Sequence, residues 1–391
     1  MQAYLDNNAT TRTHPAVVAA MLPYFSEQFG NASSAHGLGG DVGGALRTAR
    51  RQLMARLGAA QEQEIMFCSG GTEANNTAIN AALAAQPGRD EVITSTVEHA
   101  SILSPLLWAQ KMRGIKLHLI PVDSHGRLDL EAYRAALSPR TALVSLMWAN
   151  NETGTLFPVG ALAAQANAAG ALFHTDAVQA IGKLPITLAG TQIDMLSLSG
   201  HKFHGPKGVG ALYVRKGVKF QPLLRGGHQE RGRRAGTENV PAIVGLGAAA
   251  ALVDEAAWRQ MASLRDRLEA GLLDAVPGTR VNGDVANRLP NSCNLAFEDV
   301  DAEAVLHNLA RAGIAASSGS ACSSGSMEPS HVLRAMRVPH NTLHGAVRLS
   351  LSAETTEAEI GYVLAVLPGI VAKARARSPL WADRQQAVGF A

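Results

Sequence analysis

The sequence predicts an α/β protein with a mostly parallel central sheet flanked by helices, followed by a smaller α+β C-terminal domain. Three observations carry that prediction. Between residues 64 and 214, short β-rich runs alternate with longer Ala-rich stretches suited to helices, as in a parallel sheet with helical crossovers. Polar residues gather just after those runs, where open α/β sheets place their ligand crevice. Finally, 391 residues, 47% hydrophobic and 17% charged with 38 Gly and 17 Pro, exceed the roughly 150 residues of one domain and can bury a large core.

In chain order the strand runs are 65–68, 91–95, 116–122, 142–148, 171–175, 195–198 and 210–214. Gly70-Gly71-Thr72-Glu73 follows the first, Glu98-His99 the second and Asn150-Asn151-Glu152 the fourth. Asp176 and Gln179 follow the fifth, and His201-Lys202 the sixth. A charged helical segment, 254–275, opens the second domain, which continues as mixed sequence to about residue 367. Residues 372–391, with Ser378-Pro379, read as a frayed helix end. The expected division is an arm of residues 1–14 packed with the small domain, a large domain of 15–253 and a small domain of 254–391.

Charge and cysteine usage narrow the function. Thirty-five Lys+Arg against 32 Asp+Glu leave +3, too little to make nucleic acid or an anionic membrane the main partner. Cys68, Cys293 and Cys322 are an odd, widely spaced set without a CxxC pair, which argues against a disulfide framework or a zinc knuckle and for a reducing compartment. No basic n-region leads into an apolar segment, and apolar runs such as 248–253 fall short of the roughly 18 residues of a span. A cytoplasmic protein with no membrane partner is expected.

Five stretches carry candidate chemistry. Ser69-Gly70-Gly71-Thr72-Glu73 lies between a strand and a helix beginning near Thr72; helix-start amides and the Thr hydroxyl make an anion site, and a capped glycine turn reads the same way. Ser199-Gly200-His201-Lys202 closes a strand, and a lysine there can form a Schiff base when burial or a cation disfavours its ammonium. Spacing alone does not choose Lys202 over Lys207. In His174-Thr175-Asp176-Ala177-Val178-Gln179, Asp176 either holds a heterocyclic nitrogen protonated or caps the next turn. Cys322 sits in a small, polar Gly/Ser-rich stretch, 315–326, where a thiol is exposed to chemistry, whereas Cys68 and Cys293 read as core residues. The loop of 225–239 has four arginines without interleaved aromatics and with Glu230 and Glu238 among them, so a phosphate or a partner subunit fits it better than nucleic acid.

Taken in order, Asn-Asn-Ala-Thr-Thr (7–11), Gly-Asn-Ala-Ser-Ser-Ala-His (30–36), Ser-Gly-Gly-Thr-Glu, Glu98-His99, Asn-Asn-Glu-Thr-Gly (150–154), His-Thr-Asp-Ala-Val-Gln, Ser-Gly-His-Lys, Arg-Ala-Gly-Thr-Glu-Asn and Ser-Ser-Gly-Ser-Ala-Cys resemble the pyridoxal-phosphate cysteine desulfurases of the class V aminotransferase group. The resemblance runs from about Leu5 to Ile360. The Gly-Gly-His-Gln-Glu-Arg-Gly-Arg-Arg loop and Gly-Thr-Leu-Phe-Pro-Val after Asn151 look like the nitrogen-fixation (NifS) branch. Cys68 departs from an expected hydroxyl residue, and Ala353-Glu354 from a more basic pair.

The resemblance implies fold type I of the pyridoxal-phosphate enzymes and a homodimer that converts L-cysteine to L-alanine with a persulfide on Cys322. It implies sulfur delivery to an iron–sulfur scaffold protein, for nitrogenase maturation. It settles the Schiff-base lysine as Lys202, pairs Asp176 with the pyridine nitrogen and gives Gln179 the phenolic oxygen. His99 stacks on the ring and helps proton transfer, and Asn151 lies near ring and substrate. Gly71, Thr72, Ser199 and His201 hold the phosphate with Thr237 of the other subunit, and Arg348 clamps the substrate carboxylate. Cys322 is also the one candidate metal ligand, for a nascent cluster. The alternatives are a selenocysteine lyase or small-substrate aminotransferase of the same fold and, more remotely, a non-catalytic RNA- or scaffold-binding protein.

Overall fold

A computed structural model describes residues 1–318, 329–379 and 381. Among them the strands are β1 (Ala3–Tyr4), β2 (Ile65–Cys68), β3 (Glu91–Ser95), β4 (Lys116–Ile120), β5 (Thr141–Ser145), β6 (Leu172–Asp176), β7 (Met195–Ser199), β8 (Gly210–Val214), β9 (Thr279–Val281), β10 (Ser292–Phe297), β11 (Ile314–Ala315) and β12 (Ala346–Ser350). Seven of them form one sheet in the order β2-β8-β7-β6-β5-β3-β4. Neighbours are parallel except at β8, which runs antiparallel to both β7 and β2. The expected mostly parallel sheet is therefore present, with one strand reversed. The run expected at 116–122 ends at Ile120, because Pro121 has no N–H to continue the ladder.

These strands are buried from end to end except at β4 and at Leu172, which opens β6, as suits a sheet covered on both faces. Helices Gly37–Leu57, Gly71–Ala85, Ala100–Arg113, Val159–Ala168 and Val240–Ala251 supply the cover. Gly210 lets β8 begin beneath the Gly70 turn: a Cβ there would lie 2.4 Å from Leu198 O and 2.8 Å from Gly70 Cα.

A second core forms around the antiparallel sheet β12-β10-β9, packed by helices Ala256–Ala275, Ala302–Arg311 and Glu357–Arg375. The first residues of the chain join it. β1 pairs in parallel with β11, Leu5 is buried in the second core, and Asn7 N donates to Ser350 O at 3.2 Å. That path carries Asn8 to the open ends of the large sheet. No single described helix is long and apolar enough to cross a membrane, and the one pair that could do so together is bent by 79°.

Candidate active site

The carboxyl ends of β2, β3, β5, β6 and β7 face one cavity of about 400 Å³. Its anion pole is built first. After β2 the backbone turns at Gly70, whose φ of 153° suits only glycine, and enters helix Gly71–Ala85, whose first-turn amides have no intrahelical acceptors. A Cβ on Gly71 would lie 2.8 Å from Val178 Cγ2, so glycine keeps this approach open. Ser199 sits across the same turn, its Oγ 3.7 Å from where a Gly70 Cβ would stand. Thr72, Ser199 and His201 complete the lining here. Burial, with the charges of Lys202 and Lys207, pushes His201 down to about 4, so its ring is neutral at pH 7 and bonds Thr10 Oγ1 at 3.1 Å through Nδ1.

The opposite pole is anionic. Asp176, 7% exposed at the end of β6, accepts from Asn75 Nδ2 at 2.7 Å and from Val178 N at 2.9 Å. Asp176 thus caps the turn with Oδ1, as one of its two readings had it, and it also lines the cavity. Asn75 gives its other donor to Ser101 Oγ at 2.8 Å, and that hydroxyl lies 2.8 Å from His99 Nδ1. His99 caps helix Ala100–Arg113 by accepting from Ser101 N at 3.1 Å through the same Nδ1. Neutral His99 therefore carries its proton on Nε2, a tautomer assigned from these bonds. A continuous polar chain, Asp176–Asn75–Ser101–His99, links the carboxylate to the imidazole.

Lys202 lines the same cavity. Its Nζ donates to Asn8 O at 2.7 Å and to Ala9 O at 2.8 Å, while Gln179 Nε2 donates to the same Asn8 oxygen at 2.9 Å. Lys207 does not line this cavity. Arg348, in the middle of β12 and 2% exposed, forms the far wall. It pairs with Asp6 at 2.7 Å and donates to Asn151 O at 3.0 Å.

The structure thus brings Gly71, Thr72, His99, Asn151, Asp176, Gln179, Ser199, His201, Lys202 and Arg348 to one cavity. Thr237 is not among them; it lines a neighbouring cavity with Cys68, Ser69 and Arg234. Cys322, both as nucleophile and as metal ligand, lies outside the described residues, as do most residues of the tail. Burial pushes the Cys68 thiol up to about 12 and that of Cys293 well above its ordinary range, as expected of core cysteines. Among the described residues no group of His, Cys, Asp and Glu could hold a metal. In the 225–239 loop, Arg234 pairs with Glu73 of the anion-pole helix and Glu230 with Arg50; among the described residues its ionic work includes holding that helix.

Sequence reasoning assigned no role to Asn8, Asn75, Ser101, Asp6 or Lys183. Asn75 had a readable signal, standing three residues after Thr72 on one helix face. Lys183 stands four residues after Gln179, to which it donates, while Asn8 and Asp6 meet the site through pairings over 170 residues or more and Ser101 through a hydroxyl two residues from His99.

The donor set fits pyridoxal phosphate. A glycine cradle with helix-start amides suits a phosphate, a buried carboxylate suits a protonated ring nitrogen, and a lysine lines the same cavity. A class-V aminotransferase model matches residues 3–363. The chain is 65% identical over 375 residues to a cysteine desulfurase of Rhodobacter capsulatus, covering 95% of this chain and 97% of that one. It is 57% identical over 381 residues to the cysteine desulfurase NifS of Azotobacter vinelandii, covering 97% and 94%. A solved NifS-like protein superposes with a TM-score of 0.89 at 37% identity over 95% of this chain and all of that one. With a family model spanning nearly the whole chain and relatives of this similarity, the chain belongs to the class-V aminotransferase family.

Proposed function

We propose that the cavity is the active site of a pyridoxal-phosphate-dependent cysteine desulfurase, which takes sulfur from L-cysteine, leaves L-alanine and passes the sulfur to an acceptor protein. The observation that carries the reading is the meeting of Asp176, Lys202, Gly71 and Arg348 in the lining of one cavity. When bound, pyridoxal phosphate supplies an aldehyde that condenses with amines and a ring that accepts an electron pair.

In this reading Gly71, Thr72, Ser199 and His201 bind the phosphate. Asp176, held by Asn75 and Val178, keeps a proton on the ring nitrogen, and Gln179 faces the phenolic oxygen. Lys202 is the attachment amine, and its Nζ takes the substrate Cα proton. His99 would hold the ring and supply Nε2–H for proton transfer, and Asn151 would help to hold ring and substrate. Arg348 receives the substrate carboxylate in a bidentate contact.

Cys322 takes the sulfur as a persulfide: its thiolate would attack the substrate sulfur, an S–S bond forming as the substrate Cβ–S bond breaks, and the electron pair left on Cβ would take up a proton to give the methyl group of L-alanine. Two anchors support its reach: Ser317 N and O pair with the Arg348 backbone at 3.2 and 2.6 Å, and Ser330 Oγ donates to Glu152 Oε2 at 2.6 Å. One flank of its segment is thus tied to the strand that carries Arg348 and the other to Glu152, the residue after Asn151. We assign Thr237 to the site of a partner copy in a homodimer, consistent with its lining a separate cavity from Lys202 of its own chain. Residues 1–14 act as an arm of the small domain, 15–253 hold the cofactor and 254–391 carry Cys322. The acceptor is an iron–sulfur scaffold serving nitrogenase, and the compartment is the cytoplasm; the family resemblance supports the first and the cysteine usage the second.

The test is release of sulfide and alanine from L-cysteine under reductant, with Cys322→Ala alongside. The wild type should release both in equal amounts, and the variant should keep its bound cofactor while losing at least about 100-fold in sulfide. Normal sulfide release by the variant would overturn the role of Cys322, and a cofactor-loaded wild type inert toward cysteine would overturn the substrate.

A further inference from the structure

We propose that Lys183 is a positioning residue that fixes which end of the Gln179 amide faces the cavity. The inference rests on the reading of that cavity as a pyridoxal-phosphate site. Lys183, 5% exposed, follows Gln179 by four residues. Its Nζ donates to Gln179 Oε1 at 2.8 Å and to Asn8 Oδ1 at 3.1 Å, and among the described residues it makes no ion pair with a carboxylate. A residue of this cost buried against two neutral amides calls for a function.

The amide directions are fixed by atoms that can play only one part. Asn151 O can only accept, so Asn8 must turn Nδ2 to it, at 3.2 Å, and Oδ1 toward Lys183 and Asn291 Nδ2. Asn8 O can only accept as well, so Gln179 turns Nε2 to it and Oε1 to Lys183. One Nε2 hydrogen is spent on Asn8 O, and the second is left for the cavity that Gln179 lines. Gln179 thereby meets a phenolic oxygen as a donor, which favours the ionised oxygen. Burial, reinforced by the charges of Lys202 and Arg348, drives Lys183 well below the usual lysine range; a neutral amine still supplies the two hydrogens this arrangement uses.

With the amine removed, Oε1 would be buried without a donor, and the amide could reverse and turn its oxygen on the phenolic oxygen. The experiment loads wild type, Lys183→Met, Gln179→Leu and the double variant with pyridoxal phosphate and titrates the visible absorption of the bound cofactor against pH. Lys183→Met should move the transition to higher pH by about one unit, the size of one hydrogen bond to a charged oxygen. The same change in the Gln179→Leu background should add almost nothing. No shift, or an equal shift in both backgrounds, overturns the proposal, the latter marking a merely structural lysine. Gln179→Leu alone leaves Lys183 in place and removes the donor without adding a charge; it should raise the transition too, and an unchanged transition overturns the proposal even if Lys183→Met does not fold. A wild type that takes up no cofactor overturns the underlying reading, whereas a loaded wild type with unshifted variants overturns this inference alone.

Discussion

The wall supplied by the seven-stranded sheet and the wall supplied by the three-stranded sheet meet across Lys202, yet they hold their charged groups by different means. On the first, Asp176 stands at a strand end and is held by neutral donors, Asn75 Nδ2 and Val178 N. On the second, Arg348 stands mid-strand and its charge is answered by a carboxylate, Asp6, brought in from the other end of the chain. Neutral donors hold an ion without cancelling it, so Asp176 keeps a full charge to spend on a ring nitrogen. An ion pair already formed must instead be shared, so Arg348 offers a substrate carboxylate a site whose geometry is set and whose charge is partly spent. Damage to the first wall should therefore appear in cofactor binding, and damage to the second in substrate binding.

The largest expected effect lies on the second wall. Arg348→Ala removes a bidentate partner and leaves Asp6 to repel the substrate carboxylate, so KM for L-cysteine should rise about 100-fold or more, a loss of about 3 kcal/mol. Cofactor content, read from the visible spectrum, should stay near wild type; joint loss of the two would break the distinction between the walls. Next comes Asn75→Leu, which takes the donor from Asp176 and cuts the chain to His99. Cofactor affinity should fall about 10-fold, with KM changed far less, as measured by equilibrium titration of the cofactor-free protein.

A third measurement, on stability instead of binding, sharpens the comparison beneath His99. Burial pushes the Glu98 carboxyl up to about 8, against 4.5 for an ordinary glutamate, although Ser95 Oγ and Met147 N bond to it. The folded chain keeps this proton between pH 4.5 and 8 while the unfolded chain loses it. Stability from Glu98 is thus complete below 4.5 and drains away as pH rises to 8, by up to about 1.4 kcal/mol per unit. Urea midpoints of cofactor-free Glu98→Gln should lose less between pH 6 and 8 than those of wild type; identical losses would mean that Glu98 is ionised in the fold.

Much of this could be read before the fold was known, and the reason is topological. His99, Asn151, Asp176, Ser199 and Lys202 each end or follow a strand in sequence, so recognising strands already placed them at one edge. Asp6, Asn8 and Lys183 resisted that logic. Asn8 stands in a quoted motif, but its partners are at 151, 179, 183, 202, 291, 292 and 350, and no local pattern announces contacts so distant. Arg348 was placed by family resemblance and not by periodicity, since β12 is buried along its whole length and alternation is silent there. The reversal of β8 was equally hidden, because its five residues give no sign of direction.

The route of the first eight residues has a consequence for the making of the protein. Asn8 is complete only when its N–H reaches Ser350 Oγ, 342 residues later. At about 5–20 residues per second on the ribosome, that wait is roughly 17 to 70 seconds. During this interval Lys202, once synthesised, has the large sheet around it but lacks the Asn8 and Ala9 carbonyls seated as they are in the finished fold. Cofactor capture in its final geometry thus belongs to the last moments of synthesis, or after release, and a nascent chain truncated before β12 would expose a lysine still waiting for its acceptors.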